Sequence, residues 1–111
     1  MTYTIHISNR AQADIDKAAD HIEYVLKNPQ AADALLDAVD EEISSLAAMP
    51  ERFAVVDDDV LASWGIRFVR IKNYLAFYTI DEDQEVVFIV RFLFGKSDWI
   101  TILRNELNDS V

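Results

Sequence analysis

The chain has 111 residues, 51% of them hydrophobic, and a formal net charge of −10 at pH 7. This length suits one domain built around a single core, spanning residues 1–111, and the apolar content excludes a disordered chain. The absence of cysteine excludes a disulfide scaffold, a thiolate metal site and a cysteine nucleophile. A net charge of this sign repels nucleic acid and acidic membranes, so contact with either would need a local basic surface.

The sequence gives no sign of a membrane or secretory segment. Apolar runs such as Val86–Val90 are far shorter than the roughly 20 residues that a transmembrane helix needs. The first residues lack the basic and apolar regions of a secretory signal. We therefore expect the protein to act in the cytoplasm.

The amino-terminal half predicts a strand followed by two helices. Residues 3–7 alternate apolar and polar side chains, as a short strand does. Ser8 can cap the first helix, which ends before Asn28 and Pro29 because the residue before a proline is disfavoured in the α region. The same pair can begin the second helix, with Asn28 as its cap and Pro29 in its first turn. The apolar positions of the first helix are Ile15, Ala18, Ala19, Ile22, Val25 and Leu26.

The second helix carries an apolar stripe over residues 32–47, and the short connection predicts an antiparallel helical hairpin. Residues 53–56 are predicted as a short strand and Asp57–Asp59 as an exposed loop. Ser97 can cap a final short helix. Three strands are predicted where aromatic and β-branched residues dominate, at 66–72, 74–80 and 86–94, and a polar turn at 81–84 joins the last two.

The strand at 86–94 is apolar on both faces, which predicts a central position in the sheet, with helices on one side. Strict alternation assigns Val87, Ile89, Arg91 and Leu93 to one face and Val86, Phe88, Val90, Phe92 and Phe94 to the other. Arg91 is the only charge in this strand. It is either a buried structural ion, which needs a paired and hydrogen-bonded partner, or a contact to a target.

Together these elements predict an α+β fold, in which an amino-terminal strand and an antiparallel helical hairpin pack on an antiparallel β-meander with a short carboxy-terminal helix. In this order the chain resembles the RelE/ParE superfamily of toxins from type II toxin–antitoxin systems. The likeness is carried by "NPQAADALLDAV", "LAAMPERF", "GIRFVRIKNYLAFYTID" and "VVFIVRFLFGKSDW", which follow one another in the family's order between residues 28 and 99. The resemblance implies the RelE/ParE-like fold and a toxin that a cognate antitoxin protein neutralises.

The superfamily contains two kinds of chemistry. Members that cut messenger RNA on the ribosome need an acid–base pair and cations at the phosphate. Such members have an arginine before the "LxY" of the third strand, where this chain has Tyr74. The YoeB-like ending places a histidine and a tyrosine where this chain has Leu93 and Phe94.

The ParE-like ending, close to "RVLxGxxDW", is instead approached by "RFLFGKSDW". Members of that branch are known as poisons of DNA gyrase. The resemblance therefore implies a toxin that binds a protein target such as DNA gyrase. An mRNA endonuclease acting on the ribosome and a non-toxic binding module with the same fold are the alternatives.

Three sets of residues are candidates for function. No acid lies between Ser63 and Ile80, so the basic residues there and in the carboxy-terminal motif, together with the tryptophan that ends this motif, are candidates to bind the target: Arg67, Arg70, Lys72, Arg91, Lys96 and Trp99. A nuclease would depend on Tyr74, Tyr78 and Arg91. The candidates for contact with a basic antitoxin segment are Asp33, Asp37, Asp40, Glu41 and Glu42, unless the antitoxin docks only on the basic stripe from Arg67 to Lys72. We expect no metal or other cofactor, since Asp57–Asp59 lack the glycine and distal glutamate of a calcium loop.

Overall fold

The computed structural model of the protein describes residues 2–109. Its elements in chain order are β1 (Thr4–Ile7), α1 (Asn9–Asp20), one π-helical turn (His21–Val25), α2 (Pro29–Ser45), a 3₁₀ turn (Pro50–Arg52), α3 (Asp59–Ser63), β2 (Arg67–Ile71), β3 (Tyr74–Asp81), β4 (Val86–Phe94) and α4 (Trp99–Asp109). This order confirms the predicted α+β fold. None of the helices in this range is long and apolar enough to cross a membrane.

The four strands form one sheet in the order β1-β4-β3-β2. β3 pairs antiparallel with both β2 and β4, as the predicted meander requires. β1 pairs parallel with β4, so the sheet is mixed. β4 is therefore an inner strand, which accounts for its apolar side chains on both faces.

The predicted caps at Ser8 and Asn28 are confirmed. The Ser8 hydroxyl accepts a hydrogen bond from the amide of Ala11 at 3.0 Å and donates one to the carbonyl of Val90 at 3.1 Å. Ser8 thus begins α1 and fixes it to β4. The Asn28 side chain accepts from the amide of Ala31 at 3.1 Å, and Pro29 occupies the first turn of α2.

The chain departs from the predicted apolar stripe just after α1. The amide of Leu26 donates to the carbonyl of His21, five residues earlier, at 3.0 Å, which closes a π-helical turn. Such a turn holds one residue more than an α-helical turn, so the side chains after it are rotated relative to those before it. Val25 and Leu26, the last two apolar positions predicted for the first helix, are therefore not buried: they are 65% and 60% exposed, and Tyr24 is 69% exposed.

Helices cover both faces of the sheet, so the prediction of helices on one side was wrong. One core cluster lies under α1 and α2 and includes Leu35, Ile89 and Tyr78. The other lies under α3 and α4 and includes Phe77 and Leu103. The sheet is therefore the middle layer of three.

A bulge in β4 decides which side chains enter each cluster. Phe77 pairs with Arg91 whereas Tyr78 pairs with Ile89, so Val90 is an extra residue without a partner in β3. Alternation begins again after it: Ile89 and Phe92 lie in the cluster under α1 and α2, and Val90 packs against the other. The strict alternation predicted along this strand was therefore wrong beyond Ile89.

The acidic segment predicted as an exposed loop in fact begins α3. The Asp58 carboxylate accepts from the amide of Leu61 at 3.0 Å and from the Arg104 guanidinium at 2.6 Å. Asp58 therefore caps α3 and ties it to α4. The predicted strand at 53–56 is reduced to one isolated bridge between Val55 and Arg67.

The predicted cap of the last helix was off by one residue. The Ser97 hydroxyl donates to the carbonyl of Phe94 at 2.6 Å instead of capping. Asp98, directly before α4, accepts from the amide of Thr101 at 3.5 Å.

We expect Asp58→Asn to lower the unfolding midpoint at pH 7, because the amide keeps the helix cap but loses the charge that pairs with Arg104. Arg104 and the amide of Leu61 hold the pKa of the Asp58 carboxyl below its usual value of 3.8. The stabilisation is therefore present above that value and lost as the pH falls through the lower pKa of the folded protein.

Thermal unfolding of the wild type and of Asp58→Asn, measured across this pH range, checks the prediction. The matched control is Asp59→Asn, since Asp59 is exposed and forms no ion pair within the described chain. A difference between wild type and Asp58→Asn that stays constant from pH 7 into strong acid would contradict the ion pair.

Candidate functional site

Arg91 is held in a buried cluster of ion pairs. Its Nε and Nη2 atoms donate to the two carboxylate oxygens of Asp14 at 2.6 and 2.9 Å, and its Nη1 atom contacts the carboxylate of Glu106. The residue is 8% exposed. The hydrogen bonds to Asp14 raise the pKa of Arg91 above its ordinary value despite the opposing effect of burial, and Glu106 adds to the rise.

This cluster joins three elements of the fold. β1 pairs with β4 only as far as Ile89, so the amide of Phe92 lies on an uncovered edge of β4. Asp14, on α1, accepts from that amide at 3.1 Å while it binds Arg91. Glu106, on α4, also accepts from Arg10 at 2.8 Å. The guanidinium of Arg91 is thus occupied by α1 and α4, and it could meet a target only if one of these helices moved away.

The three residues proposed for a nuclease are not equally accessible. Tyr78 is fully buried, and its hydroxyl donates to the carbonyl of Pro50 at 2.6 Å. Burial raises the pKa of the Tyr78 hydroxyl. Tyr74 is half-buried and stacks on Phe92 with ring centroids 5.0 Å apart. Of Tyr74, Tyr78 and Arg91, only Tyr74 therefore offers part of its side chain to solvent.

Two of the residues predicted to bind a target take part in packing. Arg67 donates to the carbonyl of Phe53 at 2.5 Å and so holds the segment before α3 against the sheet. Trp99 is half-buried, with its ring 5.2 Å from that of Phe77. These contacts account for both residues without a target.

The other three predicted basic residues lie at one end of the sheet. There the amide of Gly95 donates to the carbonyl of Asn73, in the turn between β2 and β3, at 2.8 Å. A Cβ atom on Gly95 would lie 3.2 Å from that carbonyl oxygen and 3.7 Å from both terminal nitrogens of Arg70, so a larger residue would have to displace the Asn73 carbonyl by a few tenths of an ångström. Lys72 and Lys96 adjoin Asn73 and Gly95 in sequence. We call Arg70, Lys72 and Lys96 the basic end.

All three residues of the basic end are exposed. In the described part of the chain none of them forms an ion pair, although three other arginines do: Arg10, Arg91 and Arg104. Their positive charges are therefore not neutralised by carboxylates of the described chain.

An open groove of about 710 Å³ borders the basic end. Leu26, directly after the π-helical turn, and Leu35 of α2 line it together with Tyr74, Phe94 and Lys72. Two small residues of α2, Ala31 and Ala34, also line it. None of its lining residues is Asp or Glu. We call this feature the apolar groove.

The sequence did not predict the apolar groove, because Leu26 continues the apolar spacing of the first helix and nothing in that spacing indicates the π-helical turn. The π-helical turn carries Leu26 outward, and Phe94, at the end of β4, is 44% exposed. The available signals were the alanines early in α2 and the nearby stretch without acids.

The acidic residues predicted to contact an antitoxin lie on the outer side of α2. Four are exposed, and Glu42 is half-buried. None of them lines the apolar groove. Their role in binding stays a prediction. No group of three or more His, Cys, Asp or Glu side chains within residues 2–109 is placed to hold a metal ion.

A family model matches the sequence of this chain, and solved structures share its fold. The family described as "ParE toxin of type II toxin-antitoxin system, parDE" matches residues 5–99. No curated protein matches the chain by sequence. The fold is similar to a structure of the chromosomal ParDE system from P. aeruginosa, at 20% identity and a TM-score of 0.69, over 86% of this chain and 98% of that one.

Two further solved structures share the fold. The RelBE2 toxin–antitoxin complex from Mycobacterium tuberculosis has 20% identity and a TM-score of 0.58, with 85% of this chain and 99% of that chain covered. The archaeal RelE–RelB complex from Pyrococcus horikoshii OT3 has 16% identity and a TM-score of 0.55, with 86% and 98% covered. These likenesses confirm the RelE/ParE-like fold.

The Arg91 cluster predicts a large loss of stability for Arg91→Ala. The change would leave the carboxylates of Asp14 and Glu106 without their buried partner, at a cost of roughly 3–5 kcal/mol in the free energy of unfolding. Arg70→Ala removes an arginine of the basic end and should change it by no more than about 0.5 kcal/mol. Urea unfolding of both variants measures the difference, and equal effects would show that Arg91 is not a structural ion.

Proposed function

The chain belongs to the ParE toxin family of type II toxin–antitoxin systems, and on that premise we propose that it inhibits growth by binding a protein target in the cytoplasm. The target we propose is DNA gyrase. A cognate antitoxin protein would neutralise the toxin by binding to it.

The observation that carries the proposal is the state of the residues that RNA cleavage would need. Cleavage requires a base for the 2′-hydroxyl, an acid for the leaving oxygen and a cation beside the phosphate. The side chains of Leu93 and Phe94 are hydrocarbon groups, so they can neither donate nor accept a proton. The hydroxyl of Tyr78 is buried and already donates to Pro50, and the charge of Arg91 is neutralised by Asp14 and Glu106. Binding without chemistry fits this arrangement best.

The overall charge supports the same proposal. Binding to RNA draws its affinity from neutralised phosphates, and a chain with 20 acids and 10 basic residues is poorly suited to it. Three of the arginines also have carboxylate partners within the chain. A protein surface makes no such demand for net positive charge.

The similar solved structures support an antitoxin partner. Two of the three proteins described above were solved as complexes of a toxin with its antitoxin, and the other belongs to a ParDE toxin–antitoxin system. Since their chains are covered almost completely by this fold, we carry the antitoxin partner over to this protein.

Expression of the chain in bacteria should slow growth, and co-expression of the protein encoded by the neighbouring gene should restore it. The purified chain should inhibit DNA supercoiling by gyrase and leave ribosome-bound messenger RNA uncut, because no acid–base pair is available. Supercoiling assays and primer extension measure the two activities side by side, and addition of the neighbouring protein is the control that reverses inhibition.

Two results would overturn this function in different ways. Cuts positioned at codons would show an mRNA endonuclease and direct attention to Tyr74, the accessible tyrosine. Undiminished growth at high soluble expression would favour a non-toxic binding module.

A further inference from the structure

We propose that the apolar groove and the basic end together bind one segment of the antitoxin, and that this segment carries apolar side chains next to aspartate or glutamate. The inference rests on the proposed function, which supplies the partner, and adds the chemistry of the contact. It differs from the sequence-based expectation of a basic segment lying on the acidic side of α2.

The apolar half of this surface is unusually open for a small protein. Leu26 is 60% exposed and Phe94 is 44% exposed, and both line the groove. The volume of the groove lies within the roughly 300–1,000 Å³ of typical binding pockets. Contiguous exposed apolar surface of this kind marks a site of interaction.

The walls of the groove are built to hold their shape. Tyr74 is fixed by the stacked ring of Phe92 and by the edge of Phe94, whose ring centroid lies 5.6 Å away. Leu35, which also lines the groove, is 2% exposed and anchored in the core. A partner side chain that enters the groove therefore meets a formed surface, so little ordering cost opposes binding.

The charged half selects the sign of the partner. Arg10, Arg91 and Arg104 are paired with carboxylates, and Arg67 is bound to backbone carbonyls. Arg70, Lys72 and Lys96 have no ion-pair partner in the described residues, and no acid lines the groove beside them. In a chain with 20 acids, this combination favours a partner with negative charge at this place.

The net charge of −10 does not prevent such a partner from binding. At physiological ionic strength, charges separated by more than about 8 Å are largely screened when they are exposed to solvent. An acidic side chain beside Lys72 therefore responds mainly to the basic end. The distant acids slow its approach more than they weaken the final contact.

The acidic side of α2 offers less to a partner. Affinity comes mainly from apolar anchors that are buried in pockets, while charges at the rim set specificity and rate. Among the large apolar residues of α2 in the described chain, Leu36 is the exposed one, and it is 40% exposed. The groove has both kinds of contact, so we assign the affinity to it.

Binding of the neighbouring protein that restores growth tests the apolar half. Leu26→Asn should weaken binding and raise the dissociation constant by about tenfold or more, because it places an amide in the apolar groove. Met49→Asn is the matched control, since Met49 is 61% exposed and Leu26 60%, and Met49 does not line the groove. Calorimetric titration gives the constants, and thermal unfolding verifies that both variants stay folded.

A second pair of variants tests the charge. Lys72→Glu should weaken binding by roughly fivefold. Lys17→Glu changes the net charge equally, but Lys17 is exposed on α1 and does not line the groove, so binding should hardly change. Arg70→Glu serves as an independent variant of the basic end.

The outcomes separate this inference from the proposed function. If the neighbouring protein binds the wild type and all variants equally, the toxin–antitoxin pair stands and the groove is not the site. Stronger binding by Lys72→Glu would mean a basic segment and would overturn the inference as well. A wild type that binds no neighbouring protein would remove the proposed partner itself. If the isolated chain forms dimers in sedimentation experiments that Leu26→Asn abolishes, the groove binds a second copy and the proposal is wrong.

Discussion

The pairing of Arg91 with Asp14 and Glu106 is the constraint on which the other features depend. Arg91 is the charged residue buried in the described chain, and a buried charge is tolerated only when its partners are in place. Asp14 must therefore dock against β4, which fixes α1, and Glu106 must do the same, which fixes α4. Because Asp14 also accepts from the amide of Phe92, it covers the edge that β1 leaves free.

The position of α1 in turn creates the surface that we propose for binding. α1 and the π-helical turn carry the chain to the start of α2, beside the turn between β2 and β3. Small residues of α2 leave space there, and the π-helical turn rotates Leu26 to the rim of that space. π-helical turns are rare, and they often occur at functional sites. The fold thus pairs three arginines with its own carboxylates, whereas Arg70, Lys72 and Lys96 are exposed and have no ion-pair partner in the described residues.

Much of the fold follows from local signals in the sequence. The caps at Ser8 and Asn28 and the strands of the meander were predicted because each depends on a few neighbouring residues. The bulge at Val90 could not be predicted, because it is defined by the pairing of β4 with β3. The sequence of β4 alone does not show where its alternation is interrupted. The π-helical turn was not predicted for a similar reason. Val25 and Leu26 continue the apolar spacing of an α-helix in the sequence, although the backbone forms a π-helical turn there.

The candidate site shows the same limit. The stretch without acids drew attention to Arg70 and Lys72, which the structure leaves exposed. The need of Arg91 for a partner could be stated from the sequence without naming Asp14, which is 77 residues away. The groove itself arises from elements that meet only in the folded chain. Local chemistry therefore predicted single residues, and the juxtaposition of residues came from the structure.

Hydrogen–deuterium exchange on the free chain and on its complex with the antitoxin would test the separation of fold and function most directly. If the Arg91 cluster is structural and the groove is functional, binding should slow exchange in residues 21–28 and 72–74 and leave the amide of Phe92 unchanged. Slower exchange confined to α2, or faster exchange at Phe92 and along α4, would contradict this account. The first result would move the binding surface to the acidic side of α2, and the second would show that partner binding opens the Arg91 cluster.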